Sequence, residues 1–258
     1  ASEKNPESPQ VPIIDHADVR RMLLAQKAYS EGGLALCLYG ARLMDDQHTH
    51  PDDQKRMEAG KLLDLLTPVI KAWPSEYGPK ANDLAIQVYG GAGYTREYPV
   101  EQCWRDNRLN PIHEGTNGIQ ALDLLGRKIW QDQSHGLQLL MQEMQADLQA
   151  ATTERCQQWA LSLSETLQQA VKVTQSLGKS LMGGEVDKTL ANASCYLHLF
   201  GHIIVAWMWL RQANASANAL ASANSDSERN FYQGKLQAAQ YFFHWELPTV
   251  AQDLVLLR

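Results

Sequence analysis

The chain has 258 residues, 44% hydrophobic and 20% charged, with a formal net charge of -6 at pH 7. That length suits one large domain or two smaller ones with a sizeable core. The acidic balance argues against non-specific nucleic-acid binding, which needs a basic surface to displace counterions. No apolar run approaches the roughly 20 residues that span a bilayer. The longest, Leu197–Leu210, is interrupted by His198, Gly201 and His202, and reads as a buried helix.

The start, Ala1 to Pro9, is polar and lacks both an initiator Met and an apolar signal stretch. Residues 1–10 therefore read as a flexible linker within a longer protein, and a cytoplasmic location is expected. Cys37, Cys103, Cys156 and Cys195 are widely spaced and form no C-x-x-C pair, which suits reduced thiols. Asn192-Ala-Ser194 and Asn214-Ala-Ser216 match the glycosylation pattern by chance on this reading.

An apolar stripe at helical spacing, including Val19, Met22, Leu23, Leu34 and Leu38, predicts a first helix to about Asp45, capped by Asp15 or Asp18. His48 to Asp53 reads as a polar loop. A second helix follows with Ala59, Leu62, Leu65, Leu66 and Val69 on one side, and Trp73-Pro74 to Pro79 is expected to break or loosen it. A third helix, Lys80 to Tyr89, should stop at Gly90-Gly91, where glycine accepts positive φ. Pro99 suits the first turn of a short helix ending near Leu109, and Thr116 to about Asp132 is the next.

Beyond that, 136–148, 153–181, 187–213 and 230–254 all show helical periodicity, with a break at Gly183-Gly184. Asp226 or Ser227 is placed to cap the last helix. No run alternates at period two, so the expected class is all-α. Two helical bundles are expected, 11–133 and 134–258, meeting near residues 130–138.

Chemistry concentrates at residues 86–128. Gly90-Gly91-x-Gly93 lets backbone approach a ligand closely, as phosphate binding requires. Turns use the same residues, however, and no strand precedes this one. Glu114-Gly115-Thr116 places a carboxylate at the mouth of a helix. That arrangement serves the helix dipole. It also serves a base, provided a dry pocket raises the carboxylate pKa toward that of the proton it must take. The residues alone leave both readings open.

Their order decides. Gln87-Val-Tyr-Gly-Gly-Ala-Gly-Tyr94, Glu97-Tyr-Pro-Val-Glu101, Arg105-Asp106 and Ile112-His-Glu-Gly-Thr116 resemble, in order and spacing, the C-terminal signature of the flavin-dependent acyl-CoA dehydrogenases. The continuation from Asn117 to Lys128 is most similar to the methylmercaptopropionyl-CoA dehydrogenase-like branch, whose chains carry an extra C-terminal helical region. The resemblance is specific over residues 11–130 and weak over 135–258.

The resemblance implies a four-helix bundle of acyl-CoA dehydrogenase C-terminal type followed by a second helical bundle. It implies FAD as cofactor, an acyl-CoA substrate, an electron-transfer flavoprotein as acceptor, and a homodimer. Glu114 stands where the family's base removes the α-proton of the thioester. His113, Glu114 and Gly115 would contact substrate. Gln87, Gly90, Gly91 and Thr116 match positions that contact FAD. Arg105 and Asp106 match a pair expected to brace the turn.

His113 replaces the usual Tyr, and Gly118 a Gln found in many members. The family's N-terminal helical domain and middle β-domain have no counterpart here. The isolated chain is therefore expected to bind FAD weakly or not at all and to show no turnover. The competing reading is a helical assembly module with a decayed active site.

Other clusters have ordinary readings. His48, His50, Asp52 and Asp53 suit a solvated turn, because a metal site needs three or four converging ligands. Trp207-Met-Trp209 and Tyr241 to Trp245 suit core or interface. His198 and His202 share a helix face at i, i+4, but the H-E-x-x-H glutamate of a zinc site is missing.

Overall fold

A computed structural model describes residues 9–113 and 115–258. Glu114, and residues 1–8 of the expected linker, lie outside the described residues. All regular elements among the described residues are helical, as the all-α expectation holds.

A 3₁₀ turn, Ile13–Asp15, leads into α1, Ala17–Thr49. The residue before α1 is His16, and neither Asp15 nor Asp18 caps it. Asp18 instead pairs with Arg21 at 2.8 Å. Met22, Ala25, Ala28, Leu36, Tyr39 and Leu43 form its buried stripe.

The second helix, α2, runs unbroken over Asp53–Tyr89, through Pro68, Pro74 and Pro79. The expected break at Trp73–Pro79 is therefore wrong, and the expected third helix is the end of α2. Each proline removes one backbone donor. The helix survives because Leu62, Leu66, Val69, Trp73 and Tyr77 bury one side against α1 and α8. Tertiary packing outweighs propensity here.

α3, Val100–Asn107, begins after Pro99, and α4 spans Asn117–Asp123. The expected single helix from Thr116 to Asp132 is interrupted by a π turn, Leu124–Lys128. α5, Gln131–Gln149, then contains three consecutive left-handed residues, Asp132, Gln133 and Ser134, with φ of 50, 57 and 62°.

α6 covers Glu154–Met182, with Thr153 as a side-chain cap 3.3 Å from the Cys156 amide. The stretch expected as one helix from Asp187 divides into α7, Val186–Leu190, and α8, Ala193–Leu220. Asn192 sits at the division and donates its side-chain amide to the carbonyl of Leu256. α9, Asp226–Tyr241, is capped by a reciprocal Ser225–Glu228 box, one residue earlier than expected. A π turn, Phe242–Glu246, a 3₁₀ turn, Leu247–Thr249, and α10, Val250–Leu256, replace the single last helix. Pro248 in the 3₁₀ turn lacks the donor an unbroken helix would need.

The hydrophobic core is continuous from α1 and α2 into the second half of the chain. α8 is its axis and touches α1, α2, α4, α6, α9 and α10. Trp207 and Trp209 are fully buried there, as core residues. Their indole N–H groups donate to Asp147 at 2.7 Å and to the Ala28 carbonyl at 3.1 Å. α8 is also the one described helix long and apolar enough to cross a bilayer, but in this fold it is enclosed by its neighbours.

Candidate active site

The chain between α3 and α4 forms the site's central turn. The Asn117 amide closes it onto the Pro111 carbonyl at 3.3 Å. Gly115 has φ +77°, in the left-handed region that favours glycine. A Cβ there would also meet the Lys71 ammonium, the free end of a flexible side chain, so the backbone conformation is what restricts this position. The carbonyl of Gly115 accepts a hydrogen bond from the buried Gln120 side chain at 3.0 Å.

α2 grips both ends of the turn. Asn117 accepts from the Ser75 hydroxyl at 2.9 Å and donates to Glu76 at 3.2 Å. Glu76 is held in turn by Lys80 at 3.1 Å. At the α3 end, Asn107 donates to Asn82 at 2.8 Å. Gly78 is needed beneath it, since a Cβ would lie 2.6 Å from the Asn107 amide nitrogen. The segment read from sequence as a helix break is thus the scaffold of the turn.

Two clefts flank it. One, of about 280 Å³, lies between α2, α4 and α8 and is walled by Val69, Trp73, Tyr77, Asn117, Leu197 and His198. The other, of about 630 Å³, includes Tyr29, Lys80, Trp104, Arg108, Ile112 and Asn117. Glu76 and Asn117 line both.

The sequence-predicted residues fall into two groups. His113 is exposed, with its amide donating to the Leu109 carbonyl at 3.2 Å. Gly115 and Thr116 are half-buried, and Thr116 precedes α4 without a side-chain cap bond. Glu114, the proposed base, lies outside the described residues. Gln87, Gly90 and Gly91 stand exposed at the end of α2. Among the described residues no hydrogen bond joins the two groups.

The glycine segment divides by purpose. Gly90 has φ +62°, and a Cβ on Gly90 or Gly91 would meet nothing within 4 Å. The backbone there is open to an incoming group. A Cβ on Gly93 would lie 2.7 Å from the Ile86 carbonyl oxygen, so that glycine serves packing. Arg105 does not brace the turn with Asp106. It pairs one helical turn back with Glu101, at 3.3 Å, because i, i+4 neighbours share a helix face and sequence neighbours do not.

The residues that sequence reasoning missed are Lys71, Ser75, Glu76 and Gln120. An unbroken α2 would have placed the first three on one helix beside the turn. His198 and His202, noted only as an i, i+4 pair, also join a cluster with Tyr77 and Asp253.

Two family models divide the chain. "Acyl-CoA dehydrogenase, C-terminal domain" matches residues 4–130, and "Acetyl-CoA dehydrogenase C-terminal like" matches residues 140–258. The chain belongs to the acyl-CoA dehydrogenase family. It is 34% identical, over 93% of its length, to a broad-specificity linear acyl-CoA dehydrogenase of Mycobacterium tuberculosis. It is 32% identical, over 90% of its length, to the 3-methylmercaptopropionyl-CoA dehydrogenase of Ruegeria pomeroyi. It spans only 41% and 39% of those two relatives.

The fold is similar to that of Caenorhabditis elegans ACDH-11 in complex with C11-CoA, with a TM-score of 0.71 at 20% identity. That match covers 91% of this chain and 37% of the other. An acyl-CoA dehydrogenase of Bacillus anthracis complexed with FAD also gives a TM-score of 0.71, at 18% identity, over 97% of this chain and 44% of that one. The acyl-CoA dehydrogenase family relationship thus extends across both halves of the chain.

Proposed function

We propose that this chain is the C-terminal part of a longer FAD-dependent acyl-CoA dehydrogenase and supplies one wall of its active site. The observation that carries this reading is the turn at 111–117. The resemblance assigns it the family's base position, and Ser75, Glu76 and Gln120 grip it. The reaction is α,β-dehydrogenation of an acyl-CoA thioester.

In this reading the Glu114 carboxylate takes the α-proton. The Glu114 amide donates to the thioester carbonyl and stabilises the developing enolate, an electrostatic role of the oxyanion type. His113 and Gly115 border the acyl group. Bound FAD would supply the acceptor for the hydride that leaves the β-carbon. Gln87, Gly90, Gly91 and Thr116 are its contacts. The open ground over Gly90 and Gly91, and a Thr116 side chain that does not cap α4, fit that assignment.

Residues 11–133 carry this chemistry, and residues 134–258 form the appended helical unit. The chain alone holds FAD weakly or not at all and does not turn over. The full-length parent works as a homodimer, with an electron-transfer flavoprotein as acceptor.

The test is expression of the full-length parent with flavin absorbance and anaerobic bleaching by acyl-CoA. Bleaching is expected, with Glu114→Gln slower by about a hundredfold or more, as for loss of a general base. A variant that bleaches as fast as the parent sinks Glu114 as base. A folded parent that never retains flavin sinks the enzyme and leaves an assembly module.

A further inference from the structure

A second polar cluster lies behind the turn, where α2, α8 and α10 meet, and the reaction proposed above does not use it. The Tyr77 hydroxyl is 3.0 Å from Nε2 of His198 and 3.1 Å from Nε2 of His202. Nδ1 of His202 is 2.9 Å from the His198 carbonyl oxygen. Nδ1 of His198 is 2.6 Å from a carboxylate oxygen of Asp253.

Donors and acceptors fix most of the protons. A carbonyl only accepts, so Nδ1 of His202 carries a hydrogen and its Nε2 is bare in the neutral ring. A carboxylate only accepts, so Nδ1 of His198 also carries a hydrogen, and its Nε2 is bare when that ring is neutral. Two bare nitrogens then face one hydroxyl that owns a single proton. The cluster is one proton short.

A proton on Nε2 of His198 completes it without moving a heavy atom. That N–H donates to the Tyr77 oxygen, and the Tyr77 hydroxyl donates wholly to His202. His198 becomes an imidazolium against the Asp253 carboxylate, which is a stronger, charge-assisted bond. The other seat, on His202, is closed: burial, and then the neighbouring His198 charge, holds that ring down to about 3. Tyr77 does not ionise to compensate, since burial and then Glu246 push its hydroxyl up.

We propose that Tyr77, His198, His202 and Asp253 form a proton-operated clasp. A proton bound at His198 fastens α8 and α10 to α2.

Charged and titratable groups from several elements stand around the cluster. Glu76 shares the cleft wall with His198 and is paired with Lys80. Lys80 also lies 4.1 Å over the Tyr77 ring. Glu246, from the π turn packed on the same side, accepts from Tyr29. The Cys195 thiol, on α8, is pushed up by burial and then by Asp253, and stays uncharged.

A clasp fastened by a bound proton is closed at low pH and opens when rising pH removes that proton.

The test is hydrogen exchange of the α10 amides in this 258-residue chain, corrected for intrinsic rate, at about pH 8.5 and about pH 6.5. Protection is expected to rise about threefold or more toward the lower pH, and to stay flat in His198→Gln and Asp253→Asn. A wild-type change below about twofold overturns the clasp, as does an unchanged rise in His198→Gln. Should the variants fail to fold, ¹⁵N spectra of the wild-type imidazoles decide. The ring in contact with Tyr77 and Asp253 must show both nitrogens protonated at the lower pH, and a bare Nε2 there overturns the proposal.

Discussion

The hydroxyl of Tyr29 donates to Oε1 of Glu246 at 2.8 Å, joining α1 to a turn 217 residues further along the chain. Glu246 is 8% exposed, so its charge depends on partners inside the protein. Tyr241 approaches the same carboxylate, and burial followed by Glu246 pushes its hydroxyl up to about 12. Removing the Tyr29 hydroxyl leaves a buried carboxylate oxygen short of a donor, which costs about 1–3 kcal/mol. Tyr29→Phe is expected to lower stability by that amount in urea unfolding. The two halves share one core, so the loss should appear in a single transition followed by both fluorescence and circular dichroism. Two separate transitions, with only one shifted, would contradict the coupling.

His202 makes a pH prediction of opposite sense to the clasp. Its ring is held down to about 3, first by burial and second by His198. The unfolded chain takes up a proton near the ordinary histidine value of about 6.5, whereas the folded chain does not. Stability from this residue is therefore full above about pH 6.5 and is lost progressively as pH falls toward 3. Unfolding free energy measured across that window should decline, and His202→Leu should flatten part of the decline while lowering stability at neutral pH. An equally steep slope in the variant would remove His202 as its source.

What could be read in advance followed from periodicity and motif order. Leu62, Leu65, Leu66 and Val69 place a buried helix face without any knowledge of its partner. The ordered run from Gln87 to Thr116 points to the family because several weak signals must coincide. What could not be read was how packing overrides local rules. Pro74 and Pro79 mark a break in any isolated helix, and the burial of Trp73 and Tyr77 against α1 and α8 keeps α2 intact. That single misreading hid Ser75 and Glu76, the residues that grip Asn117. The π turns at Leu124 and Phe242 likewise leave no local trace, since their residues suit an α-helix equally well. The Tyr77–His198–Asp253 cluster needs three residues 121 and 55 positions apart, a proximity that only the fold creates.

Two glycines of α1 separate rigid from yielding neighbours. A Cβ at Gly32 would lie 2.7 Å from the Trp209 indole nitrogen and 2.9 Å from a Val205 methyl. Both side chains are fully buried, and the indole is tied to the Ala28 carbonyl. A Cβ at Gly40 would be crowded by the Cδ1 end of Ile70, at 2.6 Å, which can rotate aside, while its next neighbours lie at 3.7 and 3.9 Å. Alanine gains about 1 kcal/mol over glycine in a helix interior at either site. Gly32→Ala should nonetheless destabilise by about 1–3 kcal/mol, because overpacking a tight core outweighs that gain. Gly40→Ala should stay within about 1 kcal/mol of the parent. Comparable losses at both sites, by thermal or denaturant unfolding, would show that the neighbour's freedom does not decide the cost.

The three left-handed residues at the start of α5 carry strain that glycine would relieve. Non-glycine residues lose about 1–2 kcal/mol each in this region, because Cβ crowds the following carbonyl. Asp132 has a reason to stay, since it pairs with Lys61 at 2.9 Å. Ser134 is half-buried. Gln133, with φ 57°, is exposed, and its backbone carbonyl rather than its side chain accepts the hydrogen bond from Gln138. Gln133→Gly therefore keeps the Gln138 hydrogen bond and the Lys61–Asp132 pair and removes the crowding. Glycine's greater freedom in the unfolded chain offsets part of the gain. A net stabilisation of about 0.5–1 kcal/mol is expected, seen as a higher urea midpoint at unchanged slope. Gln133→Ala, which keeps the Cβ, should give no such gain. Equal effects of the two substitutions would mean that the left-handed conformation is not what limits stability at the start of α5.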